Sequence, residues 1–102
     1  FLKDKNKLSS YHTFTVIFKN KQIRDNFIKF MYSKNIQCYF HYFPLHKSTY
    51  GKKFCNYKLK YTDDVYNGLV RLPLYPDLSL NDQQKIIKKF IFFVKNYPFY
   101  KI

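Results

Sequence analysis

The sequence predicts an α+β domain, a small antiparallel sheet with helices on one face, and three observations carry that prediction. Short stretches rich in β-branched and aromatic residues read as strands. Other segments place apolar residues at helical spacing behind capping side chains. Their order is strand, helix, strand, long loop, short helix, strand, helix, which gives one sheet covered by helices.

Residues 1–10 are polar and lysine-rich and read as a linker. The run His12-Thr13-Phe14-Thr15-Val16-Ile17-Phe18 is the first strand, with Phe14, Val16 and Phe18 on one face. Asn20 caps the segment after it, where Ile23, Phe27, Ile28 and Met31 mark one side of a helix. Ser33-Lys34-Asn35 ends that helix, and Lys29 and Lys34 suit the negative end of its dipole. Residues 36–40 form a second short strand. The segment 41–61, with Pro44 and Gly51, is longer than loops usually are in compact domains, and long ordered loops are disproportionately functional. Thr62-Asp63-Asp64 opens a short helix that Gly68 weakens. Residues 70–74 form a third strand, with Pro73 suited to its end or to a sheet edge. Ser79 caps the last helix with Asp82 as its acidic partner, and Ile86, Ile87, Phe90, Ile91 and Val94 make the apolar stripe. Tyr97-Pro98 ends it.

Composition bounds what such a domain can do. A hydrophobic content of 46%, half of it aromatic, is too high for a disordered chain even at a net charge of +13, so the 102 residues fold as one domain. The longest apolar run, residues 90–94, is far short of the roughly 20 residues a membrane-spanning helix needs. The chain reads as soluble. It opens FLKDKNKLSSY, with neither an initiator methionine nor a signal-peptide pattern, which predicts a piece of a longer protein. Cys38 and Cys55, with no CxxC and no histidine at zinc-finger spacing after them, fit a reduced cytoplasmic domain without disulfide or structural zinc.

The strong positive charge raises the possibility of nucleic acid. Seventeen of the 19 cations are lysine, however, spread along the chain, and lysine lacks the bidentate fork of arginine. The chain has no Ala, Glu or Trp, against abundant Lys, Asn, Ile, Phe and Tyr with A/T-rich codons. That bias reads as the imprint of a genome poor in G and C, with much of the charge on a solvated surface. A stand-alone basic nucleic-acid-binding module is the alternative reading. It has no glycine-containing RNA-recognition or KH signature to support it.

Chemistry concentrates in FHYFPLH, residues 40–46. His41 and His46 could ligate a metal, carry protons, contact a substrate or pack. Their spacing around Pro44 fixes no coordination geometry, and no carboxylate lies in the motif, so no metal is expected. Pairing His46 with Cys55 as a nucleophile has no local signature to support it. With two glycines in the whole chain, phosphate-cradling glycine loops are excluded. His12 reads as a structural histidine.

FHYFPLH, preceded by His12-Thr13-Phe14 and followed by Leu69-Val70-Arg71-Leu72-Pro73-Leu74-Tyr75 and Leu78-Ser79, resembles the C-terminal domain of DegT-type sugar-nucleotide aminotransferases from about residue 11 to 94. The resemblance implies the small domain of a fold type I enzyme dependent on pyridoxal phosphate (PLP). It implies a homodimeric parent that transfers an amino group from glutamate to a dTDP-4-keto-6-deoxy sugar in cell-surface polysaccharide biosynthesis. The domain would span residues 11–97, with 1–10 as linker and 98–102 as tail. The PLP lysine and phosphate-binding residues would belong to a large domain preceding residue 1, so this chain is expected to bind no PLP and to be inactive alone. His41, Tyr42 and His46 would donate hydrogen bonds to sugar or diphosphate oxygens from a substrate-side lip that Pro44 stiffens. No specific nucleic acid and no membrane partner are implied. Val65 and Gly68 stand where acidic and helix-favouring residues are common in the family, which counts against the short helix. Arg71 fits the family pattern, and a structural salt bridge would account for it equally.

Overall fold

The computed structural model describes residues 8–55 and 57–97. Most of the expected linker and the whole expected tail, 98–102, lie outside them, as does Pro98. The described chain folds as β1 (Phe14–Ile17), α1 (Lys21–Tyr32), α2 (Lys60–Gly68), β2 (Leu69–Leu72) and α3 (Leu80–Asn96), with 3-10 turns at Leu45–Lys47 and Gly51–Lys53. This is an α+β arrangement: β1 and β2 pair antiparallel from Phe14↔Leu72 to Ile17↔Leu69, and helices pack against them.

Each element has a local cause. The Asn20 side chain accepts the Ile23 N–H at 3.0 Å and starts α1. The helix ends where Asn35 adopts φ 59°, with Asn35 N–H donating to Tyr32 O at 2.9 Å and Ile36 N–H to Met31 O at 3.0 Å. These are the paired bonds of a Schellman end, which needs a left-handed residue, and asparagine tolerates that conformation better than most. Ser79 caps α3 by accepting the Asp82 N–H at 3.1 Å, while its own hydroxyl donates to the Asp82 carboxylate at 2.8 Å.

The core joins α1, β2 and α3. Ile23, Phe27 and Met31 meet Val70, Ile86, Phe93 and Cys38, with Val16 and Phe18 packed against them. Phe27 is its aromatic centre, with ring centroids 4.9 Å from Phe18, 5.6 Å from Phe90 and 5.1 Å from Phe93. Fully buried, that side chain supplies about 2–3 kcal/mol of transfer free energy. Burial lifts the Cys38 thiol to about 11, so it behaves as a small apolar side chain.

Several expectations are corrected. Residues 36–40 are not a strand: their pairing is the single bridge Tyr39↔Arg71, closed by Tyr39 N–H to Arg71 O at 3.2 Å and Arg71 N–H to Tyr39 O at 2.6 Å. The chain reaches this edge straight from the left-handed turn at Asn35, which leaves one paired residue before the lip begins. Phe14 is 45% exposed and stands outside the core that Val16 and Phe18 join. In α3 the buried residues are Ile86 and Phe93, while Ile87 and Ile91 are half exposed. The short helix begins at Lys60, ahead of Thr62, and runs through Val65 to Gly68. Gly68 forms its last residue, and a tertiary contact outweighs the helix propensity it forgoes. A Cβ there would lie 2.0 Å from Phe18 O, and the Gly68 carbonyl accepts the Phe18 N–H at 2.8 Å, so glycine lets the end of β1 close onto the end of α2. The third strand starts one residue earlier than expected, at Leu69, and stops before Pro73.

Candidate functional site: the lip at residues 40–46

The bridge at Tyr39 delivers residues 40–46 to the surface, and the flanking elements fix both ends. At the first end Arg24 of α1 is 3% exposed. Its guanidinium lies 5.4 Å from the Phe40 ring centroid and 5.3 Å from that of Tyr66 on α2. Nη1 donates to the Tyr66 carbonyl at 2.7 Å, and Nε donates to Asp25 Oδ1 at 2.9 Å. A buried cation is tolerable only when paired and hydrogen-bonded, and these contacts supply both. Phe40 and Phe43 both meet Tyr66 edge-on, at 6.0 Å and 5.6 Å. One arginine and one tyrosine thus clasp the aromatics of the motif. Sequence reasoning missed both residues, because Arg24 lies far away in the chain on a helix face that spacing alone assigns to the core. Its one signal was its rarity among so many lysines.

Pro44 is buried and leads into the 3-10 turn Leu45–Lys47. His46, its side chain 8% exposed, brings Nε2 to 3.0 Å from Asp63 Oδ1 on α2, and Lys47 Nζ reaches the same oxygen at 2.9 Å. The Lys47 hydrogen bond first, then the charges of Lys47 and His46, hold the Asp63 carboxyl below its ordinary range. The following turn is drawn close. Ser48 N–H donates to Leu45 O at 3.0 Å, Gly51 N–H donates to Ser48 Oγ at 2.8 Å, and a Cβ on Gly51 would stand 1.8 Å from Leu45 O.

Of the three expected donors, the structure separates one from the others. His41 and Tyr42 are exposed at the crest, Tyr42 to 79%, with their rings 4.6 Å apart. His46 points into the fold, its Nε2 engaged by Asp63. The crest can offer an imidazole and a phenol to a polar ligand, and His46 acts on the shape of the loop. His12 lies elsewhere, exposed, with Ser10 Oγ 2.5 Å from its Nδ1. Cys55 is free and half-buried, and no bond to His46 is formed. Among the described residues no three His, Cys, Asp or Glu side chains gather as metal ligands, and no helix is long and apolar enough to cross a membrane.

Residues 1–91 match the model of the DegT/DnrJ/EryC1/StrS aminotransferase family. The chain belongs to this family. DegT-family enzymes are in general PLP-dependent aminotransferases that work on sugar substrates with an amino donor and assemble as dimers. The described lysines do not fit the Schiff-base role in that chemistry. All are exposed except Lys47, which is committed to Asp63, whereas a Schiff-base lysine must be enclosed beside the cofactor ring. No step through PLP is therefore assigned to these residues.

Proposed function

We propose that this chain is the C-terminal small domain of a DegT-family enzyme that aminates a dTDP-4-keto-6-deoxy sugar with glutamate as donor, in cell-surface polysaccharide biosynthesis. The nearest specific activity is that of a dTDP-4-amino-4,6-dideoxygalactose transaminase. Residues 11–97 form the small domain, 1–10 the linker and 98–102 the tail. The cofactor and its lysine belong to a large domain, the working enzyme is a cytoplasmic homodimer, and the contribution of this chain is to the sugar-nucleotide side of the cleft.

One observation carries the reading: in a chain of this family, FHYFPLH is clasped at both ends and exposes His41 and Tyr42 between the clasps. Fixing both ends lowers the entropy lost when the crest meets a ligand. The Tyr42 hydroxyl and one His41 ring nitrogen donate to sugar or diphosphate oxygens, and His46 positions them through Asp63. Amide NMR titration of the chain with dTDP-glucose, with affinity read from the signals of residues 40–46, tests this. Tyr42→Phe and His41→Ala are each expected to weaken binding about threefold to tenfold, the range of one lost hydrogen bond. Unaltered binding by both variants would refute the assignment.

A further inference from the structure

A second feature lies apart from the lip. A groove of about 1170 Å3 runs between the end of α1, the 36–39 segment, the exit of β2 and the first turns of α3, and no residue of 40–46 lines it. Arg71 does. Its Nε is buried without a hydrogen-bond partner, the one buried side-chain nitrogen or oxygen in that state among the described residues. Its backbone is spent on Tyr39, and among the described residues its guanidinium makes no ion pair, so the structural salt bridge that its sequence position allowed is not there. Nε itself is closed off from solvent, so an anion in the groove would meet the guanidinium through its two terminal nitrogens, which are not buried and make no ion pair among the described residues.

The charged part of the lining favours an anion, and Tyr39, Leu74 and Tyr75 add apolar surface beside it. Lys34, Lys85 and Lys89 line the same groove, and His12 stands with them. One carboxylate lines it, Asp82, and this is already engaged by the Ser79 hydroxyl at 2.8 Å and by Lys85 at 3.3 Å. Four cations facing one occupied carboxylate suit a group carrying more than one negative charge. The guanidinium fork matches phosphate oxygens two at a time. At about 1170 Å3 the groove is far larger than an inorganic ion and slightly above the roughly 300–1,000 Å3 typical of small-ligand pockets, so it has room for an organic molecule around the phosphate.

We infer that this groove binds a phosphorylated small molecule, with Arg71 as the principal contact to the phosphate and Lys85 and Lys89 as its supporting charges. The inference stands independently of the substrate assigned to the lip.

The test is calorimetric titration of the full 102-residue chain with inorganic pyrophosphate and, separately, with dTDP. Saturable binding at one site is expected for at least one of them. Tighter binding of dTDP would assign the phosphate to a nucleotide, and equal affinity would assign it to the diphosphate alone. Arg71→Met should weaken binding about tenfold or more, and Arg71→Lys less, because charge is kept and the fork is lost. Circular dichroism checks that Arg71→Met still folds. If it does not, the exposed pair Lys85→Gln/Lys89→Gln carries the test, with an expected loss of about fivefold. The control pair Lys52→Gln/Lys53→Gln, exposed on the second 3-10 turn outside the groove, should change little. Absence of saturable binding, or an equal loss from the control pair, would overturn the site. So would an oligonucleotide that binds through Arg71 where pyrophosphate and dTDP do not.

Discussion

Arg24 is the residue on which the lip depends most. Truncating it removes a charge-assisted bond to the Tyr66 carbonyl and two cation–π contacts, and leaves that carbonyl without its donor. Arg24→Met is expected to cost about 2–3 kcal/mol in urea unfolding and to shift the amide signals of 40–46 in the folded protein. Arg24→Lys should recover little, since an ammonium cannot stack between the two rings while reaching a carbonyl. Asp63 gives a pH test with a definite sign. Its carboxyl titrates lower in the folded chain than in the unfolded one, so its contribution is present above the unfolded value and is lost as the pH falls below about 4 through the folded value. Asp63→Asn should flatten that limb of the stability curve and loosen the turn at Leu45–Lys47 at neutral pH. The two cysteines should differ in rate: Cys38, buried with a thiol pushed up to about 11, should react with a thiol reagent far more slowly than half-exposed Cys55.

At the scale of elements, the glycine contacts set the strongest constraint. Gly68→Ala places a methyl 2.0 Å from the Phe18 carbonyl, against backbone that cannot yield without parting β1 from α2. A loss of about 2–4 kcal/mol in chemical denaturation is expected, well beyond the fraction of a kcal/mol that alanine would return through helix propensity. The same contact explains what was legible in the sequence. Both long helices could be read, because Asn20 and Ser79 announce their starts and capping is local chemistry. Gly68 was read as a weak point because the partner that requires it, Phe18, lies fifty residues earlier. In α3 the run 90–94 is apolar on every side, so periodicity could not choose Phe93 over Ile91. The choice is made by Phe27 and Phe30, whose rings lie 5.1 Å and 5.4 Å from that of Phe93. The pairing at 36–40 is shorter than its composition suggests for a similar reason: β-branched and aromatic residues say that a strand can form, and the edge available to it decides for how long. The motif FHYFPLH was visible at once, whereas its two clasps, Arg24–Tyr66 and His46–Asp63, are long-range pairs that only the fold brings together.

As a whole the molecule combines a net charge of +13 with large exposed aromatics, among them Tyr50, Phe54, Tyr57 and Tyr61 at 67–86% exposure. Charge repulsion keeps such chains apart, and salt screens it while leaving the apolar contacts intact. Sedimentation velocity should therefore show self-association that increases with salt, the reverse of what charge-driven assembly would give. That same contrast separates specific recognition from lysine-driven attraction of any polyanion, whose affinity falls steeply with salt. It sets the most direct test of the central claim, that a family member presents 40–46 as a sugar-nucleotide lip. The measurement is an amide NMR titration with dTDP-glucose at low and at moderate salt. The account predicts shifts at His41, Tyr42 and their neighbours, distinct from any at the Arg71 groove, that persist at moderate salt. A 40–46 segment whose amides stay still, or shifts scattered over exposed lysines that vanish with salt, would contradict it.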